Sequence, residues 1–222
     1  MNRIADMSPE KAGPLMRLLA PFARRKVKRL TGRETDQMIA PLNAYGLLPR
    51  LLLGYGMLED ATGKLHRVPE RLKLLAELKA AALTNCEYCI DIGSQIARQA
   101  GLSDEELLAL GSYRRSELFT DLEKLVIDYA VGMSRTPVAV SDELFEQLRS
   151  HFDARQIVEL TNVIAVENMR GRFNLALGIG SAGFTEGMVC AVSEAVPAIG
   201  AQAESLTAGA SAAQPLAATE AA

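Results

Sequence analysis

The chain has 222 residues, 49% of them hydrophobic, and its 24 Lys plus Arg against 27 Asp plus Glu leave a formal net charge of −3. That composition is typical of a globular protein, and the length suits one domain. A near-neutral charge with only 6 Phe, 5 Tyr and no Trp argues against nucleic-acid binding, which needs phosphate-neutralising cations and rings for base stacking.

Neither a membrane span nor an export signal is expected. Charged residues, Gly or Pro interrupt every apolar run before it reaches the ~18 residues that a spanning helix needs. Asp6 and Glu10 stand where a signal peptide would carry its apolar segment. We therefore expect a cytoplasmic protein. In that reducing compartment three cysteines are too few for a disulfide scaffold, and a close pair indicates a catalytic or metal site.

Residues 1–35 are predicted to form a basic N-terminal arm with one peripheral helix, whose apolar side carries Leu15, Leu18, Leu19 and Phe22. Positions 17–33 contain no acid and seven basic residues: Arg17, Arg24, Arg25, Lys26, Lys28, Arg29 and Arg33. These cations could contact an anionic surface or ligand. The favoured interpretation is simply a solvated helix face.

Residues 36–196 are predicted to form the main domain, and its sequence signals are helical. Pro69 is predicted to be the first residue of a helix, with an apolar stripe at Leu72, Leu75, Leu78, Ala82 and Leu83 and with Arg71, Lys73 and Lys79 off the stripe. Further helix starts and a helix stop are predicted at capping residues, namely Ser103 with Glu106, Asp153 with Gln156, Thr120, Ser141 and Gly101. Because no period-two run with hairpin signals is present, the predicted fold class is all-α, with about seven or eight helices.

Cys86 and Cys89 form the most informative motif. Thr84 and Asn85 are capping residues, so Cys86 is predicted to open a new helix. The positive end of a helix dipole lowers the pKa of a thiol, and the thiolate is the nucleophile. The second cysteine follows one turn later, a separation at which a disulfide can close within the helix.

Three interpretations of the pair stay open. A zinc site would need two more ligands, and Cys190, His66 and His151 do not stand at finger or ribbon spacing. An inert pair of buried small residues is also possible, since free cysteines are often buried. A redox pair is favoured, outside a thioredoxin-like fold because the surroundings are helical rather than βαβ. Cys190 is expected to be a bystander.

The end of the chain changes character. After Arg172 the only charged residues are four glutamates, and residues 197–222 are rich in Ala, Ser, Thr and Gly. Such a segment cannot bury enough apolar surface to offset its chain entropy, so a disordered Ala-rich tail is predicted there.

Over residues 47–192 the chain resembles the carboxymuconolactone decarboxylase and alkylhydroperoxidase D-like (AhpD-like) superfamily of all-α proteins. The resemblance lies in the helix that begins after Pro69, in the cysteine pair, and in a later stretch with Asn168 and the run Arg172-Phe173-Asn174. The Gly- and Ala-rich run at 176–184 also resembles the family's ending. The resemblance implies an AhpD-like helical domain, homo-oligomer formation and peroxidase chemistry.

Two positions depart from the peroxidase pattern. In those relatives a His follows the second cysteine by four residues and a Glu precedes the first by twelve, and together they relay protons. Here the two positions are Gly93 and Leu74. The decarboxylase branch uses the same His and usually lacks the cysteine pair, so its activity is the less expected inheritance.

Six further residues are candidates around the pair, each with a structural alternative. Glu77 could replace the missing acid or be a solvated carboxylate, and Tyr88 could donate a proton or serve packing. Asp91 and Ser94 could hold a water or substrate, although Asp91 also suits a first helical turn. Asn168 and Arg172 could line the cleft or, as is favoured, anchor helices to each other.

The expected function is therefore a thiol redox protein that cycles Cys86 and Cys89 between dithiol and disulfide, as a peroxidase or a thiol–disulfide oxidoreductase. Its substrates would be a peroxide or small disulfide, with a thiol reductant of unknown identity and no metal or other cofactor. The dipole argument favours attack by Cys86, whereas the resemblance assigns attack to Cys89. The alternatives are a non-redox scaffold or ligand-binding protein, or a cofactor-free decarboxylase-like lyase.

Overall fold

The computed structural model describes residue 3 and residues 11–193. Within them the chain forms helices and no strand, which confirms the all-α class. The α-helices are α1 (Gly13–Thr31), α2 (Ala40–Gly46), α3 (Pro49–Gly63), α4 (Glu70–Thr84), α5 (Glu87–Gln99), α6 (Asp104–Ala109), α7 (Asp121–Ser134), α8 (Asp142–His151) and α9 (Ala154–Leu177), with a 3₁₀ segment (Leu110–Arg115) after α6. The described part of the chain thus holds nine α-helices, against the seven or eight expected. The tail predicted at 197–222 lies outside the described residues.

Helix boundaries follow the predicted caps. Ser103 with Glu106 and Asp153 with Gln156 form complete capping boxes, and Thr120 forms one with Glu123. The hydroxyl of Ser141 accepts from the backbone of Leu144 at the start of α8. Gly101, with a φ of +96°, follows the end of α5, where a left-handed conformation favours glycine. Pro69 is the N-cap of α4 rather than its first helical residue.

α4 is the central helix, packed against α5, α7 and α9. It is buried on almost every side, including the side where Lys73 and Lys79 lie. The ammonium group of Lys79 lies 4.7 Å from the centroid of the Tyr113 ring, and that of Lys73 donates to the carbonyl of Leu65 at 2.6 Å. The prediction of an apolar stripe bounded by outward lysines was therefore incomplete, because these lysines are buried with partners for their charge.

Two hydrophobic clusters build the core. One lies between α4, α7, α8 and α9 and includes Ala76, Val126 and Leu160. The other joins the N-terminal helices to α5 and contains both Met16 of α1 and Cys86. The inner face of the helix assigned to the N-terminal arm is therefore part of the core around the cysteines. None of the described helices has the length and apolar character required to traverse a bilayer.

Candidate redox site

The junction of α4 and α5 places the cysteine pair. Asn85 ends α4 in the left-handed conformation, with a φ of 58° that Asn tolerates better than most residues. The chain then turns directly into α5, with Cys86 as the N-cap. The sulfur of Cys86 accepts a hydrogen bond from the backbone N–H of Cys89 at 3.2 Å, as an N-cap side chain does. The prediction that Cys86 opens a helix is confirmed.

Cys86 and Cys89 are joined by a disulfide, with their Cα atoms 5.2 Å apart, a normal separation for a bridged pair. Cys86 is fully buried and Cys89 is 5% exposed. The bridge lies at the start of α5, which is helical from Glu87 to Gln99. Among the described residues no group of His, Cys, Asp and Glu is arranged to hold a metal ion.

Asn174 on α9 is the polar side chain that reaches the sulfurs. Its Nδ2 lies 3.6 Å from the sulfur of Cys86 and 3.6 Å from that of Cys89, and the residue is 2% exposed. A carboxamide NH₂ has two N–H donors, so one side chain can serve both sulfurs. Asn174 was not among the predicted site residues, although it belongs to the run 172–174. The local sequence pattern does not distinguish Asn174 from the other Asn residues of the helix as a hydrogen-bond donor to sulfur.

α9 approaches the cysteine motif closely because it has no side chain at Gly171. A Cβ at that position would lie 2.6 Å from Oγ1 of Thr84, close to the end of α4. Thr84 itself is held by hydrogen bonds from its hydroxyl to the carbonyls of Ala80 and Ala81. Glycine at 171 therefore allows the contact between α4 and α9 that brings Asn174 to the disulfide.

Asp91 fastens the segment that follows α9. Its carboxylate accepts five hydrogen bonds, from the backbone N–H groups of Ala182, Phe184 and Thr185 and from the hydroxyls of Ser181 and Thr185, at 2.7 to 3.1 Å. Burial alone would raise the pKa of Asp91, but the hydrogen bonds from Thr185 and Ser181 outweigh it and lower the pKa. The acceptor capacity of this carboxylate is used within the fold.

Ser94 and Tyr88 are also bound to neighbouring segments. The hydroxyl of Ser94 accepts from the backbone of Ala191 at 3.0 Å, and that of Tyr88 donates to the carbonyl of Met38 at 2.6 Å. Burial raises the pKa of Tyr88. The edge of its ring meets Phe184, which is fully buried beside the cysteine pair's cluster.

Residues 179–193 thus form a C-terminal strap that lies over α5. Besides Asp91 and Ser94, two guanidinium groups hold it: Arg33 donates to the carbonyl of Phe184 at 2.9 Å, and Arg98 to that of Val189 at 2.6 Å. The strap carries Cys190, a half-buried free thiol. It contributes Ile179, Ala182 and Phe184 to the cluster that encloses the disulfide, and so helps to exclude solvent from it.

Glu77 belongs to a separate ionic cluster around Arg170 of α9. Arg170 binds Glu59 through two hydrogen bonds of 2.9 and 2.7 Å, binds Glu167 at 3.0 Å, and lies 3.6 Å from Glu77. Burial raises the pKa of Glu77 to about 7, against the opposing charge of Arg170. The described contacts of Glu77 are thus to Arg170 and not to sulfur.

Asn168 and Arg172 lie away from the sulfurs. The amide of Asn168 donates to the hydroxyl of Ser134 at 2.9 Å, and Arg172 donates to the hydroxyl of Thr136 at 3.1 Å. Both contacts tie α9 to the end of α7. The structure therefore brings Cys86, Cys89, Tyr88, Asp91 and Ser94 together on α5, while Glu77, Asn168 and Arg172 have partners elsewhere.

The position of the family's catalytic His is Gly93, where a side chain would contact Leu78 closely. A Cβ on Gly93 would lie 3.1 Å from a methyl carbon of Leu78. The position of the family's Glu is Leu74, which is buried in the core. The two histidines of the chain, His66 and His151, are both exposed. The proton relay of the peroxidase members is thus absent from the described site.

The fold and the site define an all-α protein with a CxxC motif at the start of a helix. Comparison with known proteins defines its family. The carboxymuconolactone decarboxylase family matches residues 48–123. The chain is 34% identical over 168 residues to the Uncharacterized protein YnjA of Escherichia coli (strain K12), covering 73% of this chain and 90% of that protein. The chain belongs to the carboxymuconolactone decarboxylase family.

Solved structures share the fold. The apo debrominase Bmp8 superposes with a TM-score of 0.65 at 20% identity, over 75% of this chain and 87% of that one. The AhpD core of a peroxidase-related protein from Ralstonia eutropha JMP134 superposes with a TM-score of 0.57 at 16% identity, over 72% of this chain and 84% of that one. At these identities the likeness establishes the helical architecture.

Proposed function

We propose that this protein is a CxxC-dependent thiol redox protein that cycles Cys86 and Cys89 between dithiol and disulfide, with peroxides or small disulfides as oxidants. The observation that carries the proposal is the disulfide in the first turn of α5, with the amide of Asn174 3.6 Å from each sulfur. Membership of a superfamily that includes peroxidase-related proteins supports the same chemistry.

In the oxidative half of the cycle, one thiolate attacks the peroxide O–O bond and becomes a sulfenic acid, and the alcohol leaves. The second thiol then displaces the sulfenic hydroxyl as water and forms the disulfide. Two thiols have lost two electrons, and the peroxide has gained them. An external thiol reductant, of a kind that the sequence does not identify, supplies two electrons and two protons to reopen the disulfide.

We propose that Cys86 is the thiolate that attacks the peroxide. Its sulfur receives both the backbone N–H of Cys89 and the amide of Asn174, and hydrogen bonds to an anion favour the charged form. None of the described acidic side chains contacts either sulfur. Thiolate formation at Cys86 therefore depends on these two donors and on the helix N-terminus. Because no proton relay among the described residues assists it, peroxidase activity is expected to be weak.

The first experiment treats reduced wild-type protein, Cys86→Ser and Cys89→Ser with stoichiometric hydrogen peroxide, and follows intact mass and free thiols. Wild type should lose two thiols to an intramolecular disulfide, and Cys89→Ser should accumulate a trappable sulfenic acid at Cys86. Trapping at Cys89 alone would reverse the order of attack. Thiols that stay unreactive until denaturant is added would refute the redox proposal and favour the scaffold alternative.

A disulfide substrate separates the two redox activities. Wild-type protein that exchanges with hydroxyethyl disulfide much faster than it reacts with peroxide would be a thiol–disulfide oxidoreductase. The decarboxylase-like alternative predicts turnover of a lactone acid by both serine variants, since that chemistry needs neither cysteine. Its family His position is Gly93 here, which weighs against it.

Self-association is proposed through α3. This helix exposes Leu51, Leu53 and Met57, and its N-cap Leu48 is exposed beside them, each at least 46% accessible. Exposed apolar residues concentrated on one short helix are typical of an interface between subunits. Sedimentation velocity should show an oligomer for wild type and a smaller species for Met57→Glu. A monomeric wild type would contradict the proposal.

A further inference from the structure

The inner and outer faces of α1 have different roles. Its inner face is buried through Met16, Ala20 and Thr31, so the helix is fixed in place by the core. Its outer face presents Leu18, Phe22, Arg25 and Arg29, which follow one another at helical spacings of four, three and four residues and therefore form one stripe. Leu18 is 66% exposed and Phe22 is 68% exposed. This outer face has no occupant among the described residues.

The charge on this helix is unbalanced. Residues 17–33 carry seven cations and no acid, although the chain as a whole is negative. Lys28 pairs with Glu34 at 2.8 Å, and Arg24 donates hydrogen bonds to the backbone carbonyls of Thr35 and Asp36. Within the described part of the chain, Arg17, Arg25 and Arg29 form no ion pair.

A groove of about 550 Å³ runs along the same helix, lined by Arg17, Arg24, Arg25 and Lys28, with Glu34 as its acid. Four cations against one carboxylate give it a net positive charge suited to phosphate. The groove lies beside the exposed Leu18 and Phe22. The surface therefore offers an anion site and two apolar side chains on one rigid helix.

From this combination we propose that the outer face of α1 docks onto an anionic lipid bilayer, with lipid phosphates in the groove and Leu18 and Phe22 inserted among the headgroups. Basic and apolar residues on one exposed helix face are the recognition chemistry of such surfaces. A soluble phosphate compound would use the cations alone and leave the two apolar side chains in water. A second copy docked symmetrically on this face would set cations against the same cations.

The proposal is independent of the redox function and is tested by co-sedimentation of the full chain with vesicles. Wild type should bind vesicles of phosphatidylcholine with phosphatidylglycerol, and not phosphatidylcholine alone. Each basic residue near an anionic surface is worth about fivefold in partitioning, so R25E/R29E should bind roughly 25-fold more weakly or worse. The matched control R115E/R155E reverses two exposed cations elsewhere and should bind like wild type.

The variant L18S/F22S tests the contribution of the two apolar side chains to vesicle binding. Because salt screens charge attraction but not apolar insertion, its binding should fall most at high salt. All variants should keep the thermal midpoint of wild type, since the changed side chains are exposed. Equal binding by R25E/R29E and R115E/R155E, or no binding of wild type at low salt, would overturn the proposal. Release of wild type by inorganic phosphate, but not by chloride of equal ionic strength, would instead assign the face to a soluble anion and overturn lipid docking.

Discussion

The side-chain amide of Asn174 lies 3.6 Å from the sulfur of Cys86, although 88 residues of chain separate the two. α9 carries the donor and α5 carries the sulfur, and the glycine at 171 lets α9 come close enough for the contact. The chemistry of the cysteine pair therefore depends on a residue that contributes no thiol, acid or base.

Replacing Asn174 should weaken the thiolate. Hydrogen bonds to charged groups contribute about 1.5–3 kcal/mol, so Asn174→Ala should lower the rate of Cys86 alkylation at neutral pH by roughly tenfold or more. The measurement is the rate of iodoacetamide labelling in the reduced protein. Asn168→Ala is the matched control, since Asn168 lies on the same helix and binds Ser134 instead of sulfur. Equal slowing by both variants would show that Asn174 acts only through stability.

Asp91 should anchor the C-terminal strap. Asp91→Asn keeps the shape of the side chain but loses its charge and places an NH₂ among five donors, so the free energy of unfolding should fall by about 2–4 kcal/mol. Ser94→Ala removes one acceptor and should cost about 1 kcal/mol. Denaturant titration gives both values. A smaller effect for Asp91→Asn than for Ser94→Ala would contradict the anchor role.

The Asp91 anchor also predicts a pH dependence. Because the folded pKa of Asp91 is lowered, its contribution to stability is present above the unfolded pKa, near 3.8, and is lost as the pH falls through the folded value. Wild type should therefore lose its advantage over Asp91→Asn in acid. Urea titrations of both proteins across the acidic range measure the difference between them, and a constant gap would refute this prediction.

Glu77 should make stability depend on pH in the opposite direction to Asp91. Its pKa is raised from 4.5 to about 7, so the fold favours the protonated acid, and its contribution is greatest below pH 4.5 and lost as the pH rises through about 7. Glu77→Gln mimics the protonated form. It should match wild type below pH 4.5 and exceed its free energy of unfolding by about 1–2 kcal/mol above pH 7, after allowance for partial exposure. The absence of a pH-dependent gap between the two proteins would contradict the raised pKa of Glu77.

The close contact of α4 with α9 predicts a steric effect. Gly171→Ala places a Cβ 2.6 Å from Oγ1 of Thr84, which should cost about 1–3 kcal/mol and slow Cys86 alkylation as Asn174 moves away. Gly54→Ala, also within a helix but with open space around it, should be neutral or slightly stabilising. Similar stability of the two variants would mean that α9 can shift freely against α4.

The site was only partly predictable from sequence. The start of α5 at Cys86 follows from Thr84 and Asn85, and the disulfide spacing follows from the CxxC pattern. Asp91 and Ser94 were expected near the pair, and they are, but their partners are residues 181–185 and 191 in the strap. Glu77 was a candidate acid for the cysteines, with a solvated carboxylate as the alternative, and its described contact is with Arg170.

Features that depend on near neighbours in the chain could be predicted from the amino-acid pattern: the all-α class, the capped helix starts at Ser103, Thr120, Ser141 and Asp153, and the cysteine pair one turn apart. These features rest on hydrogen bonds between residues three or four positions apart, so a local pattern records them. The burial of Lys79, the hydrogen bonds of Asp91 to the strap and the contact of Asn174 with the sulfurs depend on helix packing and could not be predicted in this way. Those contacts join residues that are distant in the chain, and which ones meet is set by how the helices pack.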